Sequence, residues 1–496
     1  MPPTLPLLSH PRSVIVAPEG RFSGQDLEEA AGRVARALVD SAGGGEDLRE
    51  ARIAFLLPPS FAYAAVMRGI WRAGGVAVPL AVSHPPAELE YVIRDADATL
   101  VLSDPPFAAL LEPVARAAGA RFREASGLFN GPSDVTPVPA EPDRRALIVY
   151  TSGTTAQPKG VVSTHGNLAA QIGSLLRAWE WTSADRALLV LPLHHVHGLI
   201  NVVGCALTSG ATLEILPGFE AEATWSRLAS GEITLFTAVP TIYRRLVQSW
   251  DAAPPAVQQH RTNGCRGLRL MMSGSAALPV ATLERWREIT GHTLLERYGM
   301  TELGMALSNP LHGERRPGHV GRPLPGVDAR TVDEQGQEVT DGSPGELEVR
   351  GPNVFLEYWR RPDETRHAFR DGWFRTGDVA AVDDGVYRLL GRTSVDIIKT
   401  GGYKVSALEI EEAAREHPSV SDCAVVGVPD ADWGERVCAA VELRPNAALT
   451  LPELQEWIKS RLAPYKVPKD LRSVTTLPRN AMGKVVKPEV SRLFGG

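Results

Sequence analysis

The chain has 496 residues, room for about three domain-sized units, and 44% of them are hydrophobic against 22% charged, values that belong to a globular protein with a large core. A net charge of −6 excludes a global basic field for nucleic acid or anionic lipid, so any bound phosphate must be held by local groups. No run of about 18 apolar residues occurs, so no membrane span is expected. The opening segment, MPPTLPLLSHPRS, lacks a continuous apolar stretch behind a basic one and does not read as a secretory signal. Cys205, Cys265, Cys423 and Cys438 show no C-x-x-C or Cys/His metal spacing and read as buried, reduced thiols of a cytoplasmic protein.

In chain order, 26–40 (DLEEAAGRVARALVD) predicts a helix, with acidic residues in its first turn and apolar residues at helical spacing. A strand at 52–57, a helix at 61–73 and a strand at 76–80 follow, a rhythm that implies parallel strands with helical crossovers. A second α/β series contains strands at 187–193, 234–239 and 268–272. After about residue 310 Gly and Pro become frequent and short alternating strands such as 345–349 (GELEV) predict a smaller β-rich subdomain. From Ser394 the pattern returns to α/β, with helices at 407–416 and 451–462 and strands at 424–428 and 437–443. The expected architecture is therefore α/β. It has a large N-terminal body over 1–393, with its β-rich part at about 310–393, and a small mobile C-terminal α/β lid over 394–496.

Chemistry concentrates first at 150–160 (YTSGTTAQPKG). Behind it, 145–150 (RALIVY) reads as a buried strand that delivers a loop rich in glycine and hydroxyls. Glycine lets backbone N–H groups approach an anion, the hydroxyls of Thr151, Ser152, Thr154 and Thr155 around Gly153 can donate further bonds, and Lys159 can neutralise charge. The bland alternative is a polar surface turn. The G-x-x-x-x-G-K-[ST] spacing of the common P-loop is absent, so a nucleotide would be held by another architecture.

Five more clusters follow: 191–199 (LPLHHVHGL), 297–302 (RYGMTE), 373–378 (WFRTGD), 391–409 (GRTSVDIIKTGGYKVSALE) and 478–484 (PRNAMGK). Each alone is only suggestive. Together and in this order they resemble the acyl-adenylate-forming enzymes, which include acyl-CoA synthetases, luciferases and nonribosomal adenylation domains, over about residues 20 to 490. The resemblance implies a carboxylate that attacks the α-phosphate of ATP and expels pyrophosphate, with catalysis by positioning and charge stabilisation. It assigns Thr151 to Thr155 and Lys159 to the β- and γ-phosphates. Tyr298 would stack on adenine, with Gly299 and Met300 beside it and Gly274, Ser275 and Ala276 as the opposite wall. Thr301 would touch the α-phosphate and Glu302 would hold Mg²⁺, a hard ion suited to oxygen. Asp378 would take the ribose hydroxyls with support from Arg392. Lys484 would bridge the attacking carboxylate and the α-phosphate. In the second half-reaction the lid would rotate and present Gly401, Gly402, Tyr403 and Lys404 to the pantetheine arm of coenzyme A. Ser394 stands where relatives commonly carry Asp or Lys at the hinge, a departure.

The acid is written in subtler places. His195 and His197 lie where the family lines or gates its acyl pocket, and as alternate residues of an extended stretch they would share one face. With Arg245 in 239–245 (VPTIYRR) and Met305 they resemble malonyl-CoA synthetases. Malonate brings a second carboxylate that requires a cation, and the resemblance places that role on Arg245. The implied reaction is malonate, ATP and CoA to malonyl-CoA, with methylmalonate as a possible second substrate. Another short, medium-chain or aromatic acid, or a stand-alone adenylation enzyme loading a carrier protein, are the alternatives.

Overall fold

The computed structural model describes residues 8, 10–151, 158–401, 403–480 and 483–495. The Gly24–Ser41 helix starts two residues earlier than its apolar spacing predicts, because Ser23 caps it. The Ser23 hydroxyl accepts from the Asp26 N–H, and the Asp26 carboxylate accepts from the Ser23 N–H at 2.7 Å. Its buried stripe packs on the Phe61–Arg72 helix. A Cβ on Gly69 would lie 2.5 Å from a Val34 methyl, so the close approach of these two helices requires glycine there.

Behind the pair lies a seven-stranded sheet. Arg121–Glu124, Leu100–Ser103, Arg52–Leu56, Val76–Pro79 and Arg145–Thr151 are parallel, and Lys159–Thr164 and Glu357–Tyr358 extend one edge antiparallel. The expected α/β rhythm is present, and the four central parallel strands, Leu100–Ser103, Arg52–Leu56, Val76–Pro79 and Arg145–Thr151, have interiors buried on both faces, as helix-covered parallel sheets require.

A nine-stranded sheet holds the second series, with Thr212–Ile215, Arg186–Leu189, Leu235–Ala238, Leu270–Ser273 and Leu295–Met300 parallel. The predicted strand at 187–193 ends at Leu189, and Pro192, which has no N–H to give a ladder, lies outside it. Val14–Ala17 joins this sheet parallel to Thr212–Ile215, a partner almost 200 residues away that local pattern could not reveal.

The β-rich part is an antiparallel sheet of Asp328–Val332, Gly345–Arg350, Trp373–Asp383, Phe369–Arg370 and Val386–Arg392. Residues 393–396 lead from it to a fourth sheet, built from Ile397–Thr400, Tyr403–Ser406, Val420–Asp430, Gly434–Leu443 and Asp470–Val474. That sheet and the Ala407–Arg415 and Leu451–Lys459 helices enclose hydrophobic clusters separate from those of the body. The four cysteines are buried and unbridged. Among the described residues no helix is long and apolar enough to cross a membrane.

Candidate active site

The site forms where parallel strands of the two large sheets end, the usual place for ligands in open α/β sheets. Thr151 closes the Arg145–Thr151 strand and pairs with Lys159, which opens the antiparallel strand that follows. The hydroxyl-rich segment therefore spans a hairpin rather than a strand-to-helix turn. Ser152, Gly153, Thr154 and Thr155 lie outside the described residues. Lys159 is paired with Glu364 and stands 5.2 Å from the centre of the Tyr358 ring.

The Leu295–Met300 strand supplies most of the remaining parts, sorted by the period-2 alternation of a strand. Tyr298 is buried and its hydroxyl donates to Asp378 at 2.5 Å. Arg392 donates to the other Asp378 oxygen at 3.0 Å. Burial first, then the adjacent Asp378 charge, pushes the Tyr298 hydroxyl far above its ordinary range, so it stays a donor. Met300 lies against the same hydroxyl, its sulfur 3.8 Å away.

The strand then turns through Thr301 and Glu302 into Gly304–Ser308. A Cβ on Gly299 would stand 1.9 Å from the Gly304 carbonyl oxygen, so this tight pairing, with Met305 opposite, requires glycine. Glu302 is buried and accepts from the Tyr358 hydroxyl at 2.9 Å. Desolvation raises its pKa, and the Tyr358 bond opposes the rise. Among the described residues no group of three or more His, Cys, Asp or Glu side chains is poised to hold a metal. A single carboxylate beside nucleotide phosphates is nonetheless a sufficient donor set for Mg²⁺.

On the acyl side the histidines depart from expectation. The chain leaves extended geometry after His195 and enters a helix at Val196, so His195 and His197 do not share a face of one strand. His197 points into the core, its Nδ1 3.0 Å from the Ser275 hydroxyl and its Nε2 2.9 Å from the Thr237 hydroxyl. Ser275 holds a left-handed φ of +70°, rare for a side chain other than glycine and characteristic of functional turns. Gly274 beside it is buried and Ala276 is exposed. His195 instead stacks toward His194, with ring centres 4.5 Å apart, and His84 extends the cluster at 5.8 Å from His194. Burial, followed by neighbouring positive charge, lowers His195 to about 3 and His194 to about 4, so both are neutral imidazoles at physiological pH.

Lys484 reaches this place from the fourth sheet's unit. It lies within electrostatic range of Asp378, Arg392, His195 and His197. Crowding by protein, then Arg392, lowers its pKa against the pull of Asp378, while part of the side chain stays exposed to solvent. The loop that carries it packs on the Pro240–Asp251 helix: a Cβ on Gly483 would sit 3.3 Å from the Thr241 hydroxyl.

Arg245 lies one turn beyond Thr241 and is exposed, without an ion pair among the described residues. Its neighbour Arg244, given no role from sequence, bonds Asp422 at 3.2 Å and approaches Glu442 at 3.9 Å. Arg479 and Arg415 hold the same Asp422 from within the lid. The Val280 N–H also donates to Glu412 at 2.8 Å, a second tie between the units. Gly401, Tyr403 and Lys404 are not brought to the cleft in this arrangement. Tyr403 is exposed and stacks on Tyr465, and Lys404 pairs with Glu334 of the β-rich sheet. Gly402 lies outside the described residues.

Sequence reasoning missed His84, His194, Tyr358, Arg244 and Arg297. His84, Tyr358 and Arg244 meet the site only through contacts distant in the chain, whereas His194 adjoins His195 and stacks on it. Arg297 had a local signal: a charge at an inward position of a buried strand.

This fold and cleft define the class. The AMP-binding enzyme family model matches residues 9–359 and its C-terminal domain model matches 409–484, so the chain belongs to the AMP-binding enzymes. It is 47% identical to the human mitochondrial malonate–CoA ligase ACSF3, over 97% of this chain and 90% of that protein. Against an Arabidopsis thaliana malonate–CoA ligase it is 43% identical, over 97% and 86%. The crystal structure of ATP-bound MatB from Rhodopseudomonas palustris superposes with a TM-score of 0.90 at 36% identity, over 98% of this chain and 96% of that one.

Proposed function

We propose that the chain is an AMP-forming acid–thiol ligase that converts malonate, ATP and CoA to malonyl-CoA, AMP and pyrophosphate, with methylmalonate as a second substrate. The observation that carries this reading is the convergence of Lys484, Asp378, Arg392, His195 and His197 in one cleft. The relatives that share nearly the whole chain are named as malonate–CoA ligases.

In this reading Tyr298 stacks on adenine between Met300 and the 274–276 turn, and Asp378, oriented by Arg392, accepts from the ribose hydroxyls. Thr151 and Lys159, with the hydroxyls of the adjoining loop, hold the departing pyrophosphate, which requires Lys159 to exchange Glu364 for phosphate. Lys484 draws the attacking carboxylate to the α-phosphate and offsets the charge that builds as the new P–O bond forms, while Thr301 donates to the same phosphate. Glu302 would hold Mg²⁺, which when bound neutralises phosphate charge. Neutral His195 and His197 line the acid's path without competing for protons.

The lid, which we place at 394–496, then turns about Ser394, withdraws Lys484 and presents Gly401 to Lys404 to the thiol substrate. Pyrophosphate release measured across a panel of acids, with and without CoA, tests the proposal. Strong turnover of octanoate or benzoate with none of malonate would sink the substrate assignment. Transfer to a phosphopantetheinyl carrier in place of CoA would sink the acceptor. The proposal keeps a cytoplasmic location on the four scattered, unbridged cysteines, whereas the human relative's name places that protein in mitochondria.

A further inference from the structure

The loop that carries Lys484 is braced by a charge cluster that only the body completes. Asp422 and Glu442 are direct partners on the antiparallel Val420–Asp430 and Gly434–Leu443 strands. Like charges set opposite each other on neighbouring strands repel, so this pair needs cations. Both side chains are mostly buried, at 15% and 13% exposure. Arg479 supplies one cation from within the lid, paired with Asp422 and 3.7 Å from Glu442. Arg244 supplies the other from the body, 3.2 Å from the same Asp422 oxygen and 3.9 Å from Glu442. Arg415 and the Cys423 N–H take the remaining Asp422 oxygen, at 3.0 and 2.8 Å. Burial works against the Asp422 charge, yet Arg415 and Arg479 hold its carboxyl below the ordinary range.

Arg479 has a second task. Its Nη2 serves Asp422, and its Nη1 donates to the carbonyl of Gly483, the residue before Lys484, at 2.9 Å. The Lys484 carbonyl and N–H are tied to Asn480 at 2.9 and 3.0 Å, and the Val486 N–H donates to the Pro478 carbonyl at 2.9 Å. The fork of Arg479 is thus divided between the carboxylate pair and the lysine's own loop. On the body, Thr241 and Arg244 stand three residues apart and share one face of the Pro240–Asp251 helix. Thr241 meets Gly483 and Arg244 meets Asp422, which gives the loop and its brace a two-point seat. Two other ties between the units, Val280 with Glu412 and Glu334 with Lys404, use none of these residues. Away from the seat, the Asp422 and Glu442 pair would draw on Arg479 without help from the body, and its hold on Gly483 would weaken.

We infer that Arg244 is a positioning residue for Lys484: by sharing the Asp422 and Glu442 pair it leaves Arg479 free to fix the Gly483 carbonyl, so the lysine is set only when the lid is seated. This rests on the proposed role of Lys484 in adenylate formation. The bridge suits a reversible contact. Arg244 is 34% exposed and regains water when the lid leaves, while Asp422 keeps Arg415 and Arg479, so neither unit is left with a bare buried charge. Arg244 touches the lysine's brace and not the acid, so it acts on one half-reaction and not on substrate affinity.

The test measures each half-reaction of the full chain for the wild type, Arg244→Ala, Arg244→Lys, Arg479→Ala and the double alanine variant, with thermal melting and backbone hydrogen exchange alongside. Arg244→Ala is expected to slow adenylate formation about 5- to 10-fold at saturating malonate and ATP. Both KM values should stay within about twofold, and thioester formation from supplied malonyl-adenylate and CoA should be unchanged or faster. Arg244→Lys keeps the charge and should recover most of the rate. Arg479→Ala should show the same selective loss, and the double variant should be no slower than the worse single one, because the two residues act in series. Exchange at 478–486 in the ligand-free protein should quicken in Arg244→Ala while the Val420–Asp430 strand is unchanged. Equal loss in both half-reactions with a lower Tm would make Arg244 merely structural and overturn the inference. So would a loss carried by malonate KM, or single effects that multiply in the double variant. A wild type that adenylates another acid and not malonate, with the same losses on substitution, would refute the substrate assignment and still support Arg244. Exchange needs no substrate, so an unchanged rate at 478–486 in Arg244→Ala overturns the inference even if no acid is turned over.

Discussion

The two faces of the Leu295–Met300 strand handle polar groups in opposite ways. Toward the nucleotide side, Tyr298, Asp378 and Arg392 satisfy one another through bonds of 2.5 and 3.0 Å. Toward the acyl side, Arg297 and Ser273 keep donors without acceptors among the described residues. A completed network is rigid before its ligand arrives, which suits a cofactor common to a whole family. An incomplete one stays costly until a particular ligand fills it, which suits discrimination between acids. One strand can carry both because successive side chains point to opposite faces.

Four substitutions would break or sharpen this contrast. The largest effect is expected at Lys484, which serves both faces. Lys484→Ala should slow adenylate formation about 10²- to 10³-fold while leaving thioester formation from supplied malonyl-adenylate largely intact. Rapid-quench measurement of each half-reaction separates the two, and equal loss in both would contradict a lysine that acts in only one.

Next comes the completed network. Asp378→Ala strands a buried tyrosine hydroxyl and an arginine, so stability should fall by about 3 kcal/mol and the KM for ATP should rise. Melting curves that show no loss would mean the nucleotide face is no better built than the acyl one.

A smaller, pH-dependent effect is expected at Glu296, which is buried beside Glu412 and accepts from the Gly318 N–H at 3.0 Å. Burial pushes its carboxyl up to about 8. Below the unfolded value near 4.5 both states hold the proton and the shift is harmless. Between that value and 8 only the unfolded chain ionises freely, so stability falls as pH rises. Glu296→Gln should therefore match the wild type at pH 5 and exceed it at pH 8, by a few kcal/mol at most. Urea denaturation at the two pH values checks this, and a gain that is equal at both would place the cause in packing.

The smallest change is expected at Arg245. Because that side chain is exposed, Arg245→Ala should raise malonate KM less than about fivefold. A rise well above that would place the principal carboxylate contact on the helix surface.

Much of the architecture was legible in the residues. Helical spacing located the first two helices to within two residues, the structure adding Ser23 and Ser60 as their caps, and apolar runs marked the parallel strands. The Val14–Ala17 strand was not legible, since its partner Thr212–Ile215 is remote in sequence. The paired histidines misled for a local reason: an apparent period of two in 193–198 (LHHVHG) conceals the start of a helix at Val196. Arg244 passed for a neutral bystander because its partners, Asp422 and Glu442, belong to the lid.

By itself the sequence determined the reaction class, because loops that handle ATP need particular residue types at short, ordered spacings, and such spacings survive in one dimension. Tertiary structure alone decided which arginine is buried and unpaired and which charges hold the lid. Those properties depend on desolvation and on distances between residues far apart in the chain. A string of letters carries no record of either until the sheets have closed around them.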